Sequence, residues 1–280
     1  IPRCERSMIL CFGYMSAPPE SLDADPSVDY KVWMDMQFQH VATDPAFFGL
    51  YGLMEYTCGY ADEETVRWAA RLYRHYGIEG NTRLLSDRYG FKYHPAHLKN
   101  PDFEEGTNGW TVEPAEDGSV EARRMNGLSW LEGRYPRTRQ GDTFLWMRRN
   151  RRRPNVVSQT IKNLKPGRLY SLRMFTADYR DLVAGNSVRR THAISIRLDD
   201  VELLPRQCFQ HVFPNCYSHR LGPFDSKHRA WMNYHVRLFR ARAKTAHISI
   251  SDWASHAHPG GPVGQEIALN FVQVQPYFAD

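Results

Sequence analysis

Asn100-Pro-Asp-Phe-Glu-Glu-Gly-Thr-Asn-Gly-Trp110 is the stretch at which the sequence changes from one pattern to another. Before it, continuous apolar runs alternate with segments whose apolar residues recur at helical spacing. After it, short runs of alternating apolar and polar residues are separated by Gly, Pro, Asn and Asp, with no convincing helix, which is typical of an antiparallel sandwich or barrel. We therefore predict that a separate β domain begins here, with Asn100 in its first strand.

The part of the sequence before this stretch predicts parallel α/β structure. Two apolar runs are each followed by a segment of helical periodicity, with strands at residues 7–12 and 46–55 and helices at 27–43 and 62–76. The second strand ends in Glu55. A closed eight-stranded barrel needs about 250 residues, so we interpret residues 1–98 as the C-terminal portion of an α/β (TIM-like) barrel. We expect the natural protein to extend upstream of Ile1.

The part that follows predicts an all-β jelly-roll sandwich over residues 99–280. Besides the opening strand near Asp102, strands are predicted at residues 119–123, 143–147, 156–161, 170–177, 192–198, 235–242, 246–251 and 267–275. Turn signals such as Lys165-Pro-Gly167 separate most of them. About nine strands in this length fit a jelly roll. Phe103, Trp110 and Trp146 are predicted to lie in its core.

The composition indicates a folded globular protein. The chain has 280 residues, of which 42% are hydrophobic, enough for folded cores. It contains no run of about 18 apolar residues that would span a membrane. The net charge of +5 divides into −4 for residues 1–98 and +9 for residues 99–280. Much of the positive excess lies in Arg134, Arg137, Arg139, Arg148, Arg149, Arg151, Arg152 and Arg153.

The arginine-rich region has two interpretations. Such a density of positive charge attracts polyanions through counterion release. Nucleic-acid readers usually present that charge on a recognisable module, and none is visible here, so a solvated hairpin loop is the favoured interpretation. Nucleic acid is therefore not an expected partner.

The cysteine and histidine residues indicate neither a definite disulfide nor a definite metal site. Among five cysteines, only Cys208 and Cys216 are close together in the β region. They would form a disulfide in an oxidising compartment or remain free thiols, and the sequence leaves both open. Only His256 and His258 have a close spacing suited to a metal, and their neighbouring Pro and Gly residues favour a surface loop.

The opening stretch resembles a known family. Asn100-x-Asp-Phe-Glu104-x-Gly106 with Gly109-Trp110 is similar to the first strand of galactose-binding-like jelly-roll carbohydrate-binding modules, the type appended to xylanases and related glycoside hydrolases. Residues 155–161, 164–171 and 267–274 are similar to later strands of that family. The resemblance implies a secreted or extracytoplasmic protein whose partner is a polysaccharide or oligosaccharide, with no membrane contact.

The same resemblance implies a possible metal site. In that family a glutamate of the first strand and an aspartate of the last strand often hold a structural calcium, because calcium prefers oxygen ligands. Glu104 matches the first of these positions. Asn270 stands where the aspartate would be, so it keeps a carbonyl oxygen but loses a charge. Calcium binding and a direct hydrogen bond between neighbouring strands both remain open.

Residues 1–98 look like the last two βα units of a glycoside-hydrolase barrel. Glycosidases use a pair of carboxylates, and Glu55 at a strand end is the visible candidate for one of them. Contact with substrate, or simply ending a strand, is the alternative role. The parent protein is expected to degrade a polysaccharide, whereas this fragment alone is expected to be inactive.

Candidate ligand-binding residues lie at predicted loops and strand ends of the β region. Sugars are bound by aromatic faces and by polar groups that fix the hydroxyls. The candidates are the aromatic residues Trp130, Tyr135, Tyr179 and Trp253 and the charged residues Arg134, Asp178 and Asp252. A non-catalytic glycan-binding or structural module, or polyanion binding through the Arg134 to Arg153 cluster, is the alternative function.

Overall fold

The computed structural model describes residues 9–12, 25–50, 52–55, 62–131, 141–214 and 229–280. The chain divides into two compact units. The N-terminal unit comprises residues 1–24, 28–95 and 278–280, and the β unit comprises residues 25–27 and 96–277. Within the described residues, no helix is long and apolar enough to cross a membrane.

The N-terminal unit has the predicted order β, α, β, α. Its elements are β1 (Ile9–Phe12), α1 (Tyr30–Thr43), β2 (Gly52–Glu55), α2 (Glu63–Leu72), a π-helical turn (Tyr73–Ile78) and α3 (Leu85–Tyr89). β1 and β2 pair in parallel, with Phe12 opposite Glu55. The parallel pairing agrees with the continuous apolar runs of the sequence, whereas membership of a barrel stays a prediction.

The second strand is shorter than the sequence predicts. The predicted strand covers residues 46–55, but its first part forms a 3-10 turn, Pro45–Phe47. The Asp44 side chain accepts a hydrogen bond from the Ala46 backbone N–H at 2.9 Å, and Pro45 supplies the fixed φ that suits the first position of a helical turn. Local capping therefore limits β2 to four residues.

Trp68 is the centre of the core of the N-terminal unit. Its side chain is fully buried and packs edge-on against Tyr89 and Phe278, with ring centroids 5.7 and 5.0 Å apart. The indole N–H donates to the Lys31 backbone oxygen at 2.9 Å. Glu64 accepts a hydrogen bond from the Phe278 backbone N–H at 2.8 Å. Residues near the end of the chain therefore complete this core.

The β unit consists of two antiparallel sheets. The larger has the strand order 209–214, 231–241, 169–178, 266–276, 143–148 and 120–124, with 201–203 added to 231–241, and the smaller has the order 111–113, 156–161, 246–251 and 195–199. Side chains from both sheets share one core, which includes Leu172 and Met174 from the larger sheet and Ile248 and Ile250 from the smaller. The predicted β-sandwich is confirmed.

Eight of the strands overlap predicted ones, whereas residues 111–113, 201–203 and 209–214 form strands that were not predicted. The strands are β3 (Thr111–Glu113), β4 (Val120–Arg124), β5 (Thr143–Arg148), β6 (Val156–Ile161), β7 (Leu169–Asp178), β8 (Ser195–Asp199), β9 (Val201–Leu203), β10 (Phe209–Pro214), β11 (Trp231–Ala241), β12 (Ala246–Ser251) and β13 (Glu266–Pro276). Two short helices, α4 (Leu128–Leu131) and α5 (Tyr179–Val183), interrupt the strands. The expectation of a β region without helices is wrong at these two places.

The stretch that separates the two patterns is not a strand. Residues 100–110 form successive turns, in which the Asn100 side-chain amide donates to the backbone oxygens of Gly106 at 2.9 Å and Asn108 at 3.0 Å. Asn100 and Phe103 have φ values of 46° and 57°, a conformation that excludes an extended strand. Phe103 and Trp110 are nevertheless buried in the sandwich core, as predicted.

Candidate functional site

A polar cavity lies at one end of the larger sheet. β7 ends at Asp178, which is paired with Ile267 near the beginning of β13, so α5 and the loop preceding β13 come together there. The cavity has a volume of about 200 Å³ and is lined by Asp178, Arg180, Asp181, Arg190, Pro262, Val263, Gly264, Gln265 and Glu266. We call this site the polar cavity.

Asp178 organises one wall of the polar cavity. One of its carboxylate oxygens caps α5 by accepting the Asp181 backbone N–H at 3.2 Å, and the other accepts the Gln265 side-chain amide at 2.9 Å. Arg190 is ion-paired with Asp178 at 3.6 Å and with Asp181 at 2.6 Å. These contacts hold the four side chains in one arrangement, and such preorganisation lowers the entropic cost of binding.

Glu266 organises the opposite wall. Its carboxylate accepts hydrogen bonds from Arg180 at 2.7 Å and from the Trp146 indole N–H at 3.0 Å. Desolvation acts to raise the pKa of Glu266, but the two hydrogen bonds together with the charges of Arg180 and Arg123 outweigh it, and the pKa is lowered. Burial, together with the charge of Asp178, raises the pKa of Asp181 against the opposing effect of Arg190.

An aromatic face adjoins these polar groups. Tyr179 is partly exposed, and its ring centroid lies 5.3 Å from that of Phe144. The Arg123 guanidinium lies 3.5 Å from the centroid of the Trp146 ring and 5.6 Å from that of Tyr179. Phe144 and Trp146 are buried, so Tyr179 is the more exposed ring of these three.

Arg149 supports the cavity from inside the protein. The side chain is 1% exposed, and it donates to the backbone oxygens of Asp252 at 2.6 Å and Ala193 at 2.7 Å. It also donates to the side-chain oxygen of Gln265, whose amide group binds Asp178. Burial lowers the pKa of Arg149, and the charges of Asp252 and Asp178 oppose that effect. Gln265 thus connects the cavity wall to a buried cation.

Two of the predicted ligand-binding residues, Asp252 and Trp253, are buried inside the protein. Asp252 is fully buried and accepts hydrogen bonds from the backbone and side-chain amides of Asn155 at 2.9 and 2.7 Å. Burial raises its pKa. Trp253 is 5% exposed, with its indole N–H donating to the Asn150 backbone oxygen at 3.1 Å. Both residues therefore make hydrogen bonds within the fold, where the sequence predicts contacts with a ligand. Asp178 lines the polar cavity, and Tyr179 follows it in the chain as the first residue of α5.

The other candidates lie wholly or partly outside the described residues. Arg134, Tyr135 and Cys216 are outside them. For Trp130 and Glu55 the structure describes the backbone alone, placing Trp130 in α4 and Glu55 at the last position of β2. Their predicted roles stay predictions.

Glu104 and Asn270 meet at Gly141. The Glu104 carboxylate accepts the Gly141 backbone N–H at 2.6 Å, and the Asn270 side-chain amide donates to the Gly141 backbone oxygen at 3.0 Å. Over the part of the chain that the structure describes, no group of three or more His, Cys, Asp or Glu residues could hold a metal ion. The predicted pair is therefore close in space, and calcium stays a prediction.

The arginine-rich segment is partly used for structure. Arg149 is buried as described above. Arg148 pairs with Glu116 at 3.1 Å, and Arg153 donates to the Ala115 backbone oxygen at 2.6 Å. Arg151 and Arg152 are exposed. The described arginines thus offer a polyanion less positive charge than the sequence suggests.

Several residues of the polar cavity were not anticipated from the sequence. They are Arg180, Asp181, Arg190, Gln265 and Glu266. One local signal was available, since Asp178-Tyr-Arg-Asp181 at the end of an apolar run is the pattern of a helix N-cap with an acidic first turn. Arg190 also lines a second cavity of about 450 Å³, together with Arg189, Thr191, Gln210, His211 and Val212.

No protein-family model matches the sequence, and no curated protein matches it significantly. Among solved structures, the chain is similar to TmCBM61 in complex with beta-1,4-galactotriose, at 14% identity and a TM-score of 0.34 over 64% of this chain and 97% of that one. It is also similar to TmCBM27, a carbohydrate-binding module that recognises mannan, at 12% identity and a TM-score of 0.31 over 64% and 95%.

A third similar structure is the enzymatically active domain of tailspike protein 4 of bacteriophage CBA120. The identity is 10% and the TM-score 0.38, covering 81% of this chain and 26% of that one. These identities and TM-scores are low. The function proposed below therefore rests on the residues of the chain itself.

Proposed function

We propose that the β unit binds a neutral glycan at the polar cavity. The observation that supports this is a fixed set of carboxylate, amide and guanidinium groups around a cavity of about 200 Å³, beside the partly exposed ring of Tyr179. Sugar hydroxyls both donate and accept hydrogen bonds, so they match carboxylates alternating with guanidinium and amide groups. An aromatic face packs against the apolar C–H face of a pyranose.

The charge of the polar cavity favours a neutral sugar. Its lining contains three carboxylates, Asp178, Asp181 and Glu266, against the two guanidinium groups of Arg180 and Arg190. A uronic acid or sulfated sugar would add a further negative charge to this excess, which costs binding energy. Binding is therefore proposed for neutral polysaccharides and their oligosaccharides.

Affinity electrophoresis against neutral and anionic polysaccharides tests this proposal. We expect neutral polysaccharides to retard the protein, and we expect Arg180→Ala to weaken binding at least about tenfold. That change breaks the 2.7 Å pair with Glu266 and removes a charged donor to the ligand, and hydrogen bonds from charged donors are stronger than neutral ones. The side chain is 70% exposed, so folding should be unaffected.

Arg197→Ala is the matched control. Arg197 makes an exposed pair with Asp199 at 2.8 Å on β8 of the smaller sheet, so its removal should leave retardation unchanged. Equal binding by wild type and Arg180→Ala would refute the assignment of the site. Failure of the protein to bind any neutral polysaccharide would refute glycan binding.

We further propose that the parent protein is a secreted glycoside hydrolase, and that Glu55 is one of its carboxylates. This is supported by the parallel β1–β2 pair, in which β2 ends at Glu55, because parallel α/β enzymes place functional groups at the carboxyl ends of strands. In the intact parent, Glu55→Gln is expected to lower kcat about 10²–10⁴-fold. Glu63→Gln is the control, since that side chain is 82% exposed. Full activity of Glu55→Gln would exclude the role.

A further inference from the structure

Three distant parts of the sequence meet at the Gly141 backbone. Glu104 comes from the turns that follow Asn100, Gly141 lies just before β5, and Asn270 lies within β13. Glu104 accepts the Gly141 N–H at 2.6 Å and the Thr143 hydroxyl at 3.0 Å. Asn270 donates to the Gly141 oxygen at 3.0 Å. We call this arrangement the Gly141 clamp.

The orientation of the Asn270 amide follows from its two partners. Its oxygen accepts the Phe271 backbone N–H at 2.6 Å, while its nitrogen donates to Gly141. The opposite orientation would place two oxygens together at Gly141 and two N–H groups together at Phe271. Since Asn270 is 1% exposed, water cannot relieve such a mismatch. The amide nitrogen therefore faces the Gly141 oxygen.

This arrangement does not fit a calcium ion. Calcium takes six to eight oxygen ligands, and a cation between these residues would need the Gly141 oxygen as one of them. That oxygen already faces the N–H donor of Asn270. Both oxygens of Glu104 and the oxygen of Asn270 also accept hydrogen bonds from the protein.

We propose that the Gly141 clamp holds the sandwich together without a metal. The partially positive N–H hydrogen of Asn270 contacts the Gly141 oxygen and takes the role that a metal ion would otherwise have. The clamp also fixes a distortion in β13, where the register shifts between Asn270 and Gln273. There Phe271 has a φ of 57°, and Val272 donates to the Pro101 backbone oxygen at 3.0 Å.

Two measurements test this inference. The melting temperature of the wild-type protein should be the same in EDTA and in millimolar CaCl₂, and calorimetric titration with CaCl₂ should show no binding. Asn270→Asp replaces the N–H donor with a carboxylate oxygen, which then faces the backbone oxygen of Gly141. Its melting temperature in EDTA should fall by about 3–8 °C, because a buried polar group without a hydrogen-bond partner is destabilising.

Asn163→Asp is the matched control. Its amide likewise donates to a backbone oxygen, that of Ala96, at 3.0 Å, but at an exposed position, so the melting temperature should change by less than about 2 °C. Stoichiometric calcium binding by the wild type, or a lower melting temperature in EDTA, would overturn the metal-free clamp. So would an Asn270→Asp protein as stable as the wild type.

Discussion

Arg149→Met should lower the free energy of unfolding of the β unit by about 3–5 kcal/mol, since removal of one partner from a buried ionic network leaves the others unsatisfied. Arg149 is 1% exposed and donates to the backbone oxygens of Asp252 and Ala193 and to the Gln265 side chain. Methionine fills much of the volume of the arginine stem but provides no donor. Urea unfolding followed by tryptophan fluorescence would measure the loss.

The neighbouring residue provides the control. Arg148 is 43% exposed and pairs with Glu116 at the surface, so Arg148→Met should cost less than about 1 kcal/mol. If both variants unfolded at the same urea concentration as the wild type, Arg149 would have no special structural role. Loss of stability only in Arg149→Met would show that the cavity wall depends on a buried cation.

Acid should destabilise the β unit through two buried histidines. The Thr176 hydroxyl lies 2.8 Å from a ring nitrogen of His192 and 2.8 Å from one of His235. Burial lowers the pKa of His192 to about 4 despite the charge of Asp178. Burial and the charges of Arg237 and His192 lower the pKa of His235 to about 3.

The sign of this effect follows from proton binding. Below pH 6.5 the unfolded state binds protons that the folded state does not, so the stability present at neutral pH is lost as the pH falls. Between pH 6.5 and 4 each histidine should cost about 3 kcal/mol, at about 1.4 kcal/mol for each pKa unit. Urea unfolding at a series of pH values would show the slope.

A double variant isolates the histidine contribution. His192→Gln combined with His235→Gln keeps polar side chains near Thr176 but removes both titrating groups, so the slope between pH 6.5 and 4 should become shallower. His256→Gln combined with His258→Gln is the control, because both positions are exposed. The same slope in wild type and the first double variant would assign acid unfolding to other groups.

Much of the sandwich could be predicted because its strands are bounded by turn residues. β6 and β12 have the predicted bounds, residues 156–161 and 246–251, since β6 is rich in the β-branched residues Val, Thr and Ile and apolar residues alternate along β12. β10 was missed because Phe209–Pro214 mixes polar residues with a proline, which weakens a strand pattern. The turns at Asn100 were missed because they depend on the hydrogen bonds of one side chain.

The candidate site was less predictable because burial is a property of the folded chain. Asp252 and Trp253 suggest a binding loop in the sequence, but Asn155, 97 residues earlier, satisfies the carboxylate inside the protein. Asp178 could be predicted because it ends a clear strand. Gln265 and Glu266 were missed because only the antiparallel pairing of β7 with β13 brings them beside Asp178.

Phe278 has a consequence for how the N-terminal unit folds. The backbone N–H of Phe278 binds Glu64, 214 residues earlier in the sequence, and its ring packs against Trp68. Trp68 therefore gains its contact with Phe278 only after this large loop closes, a step that long sequence separation makes slow.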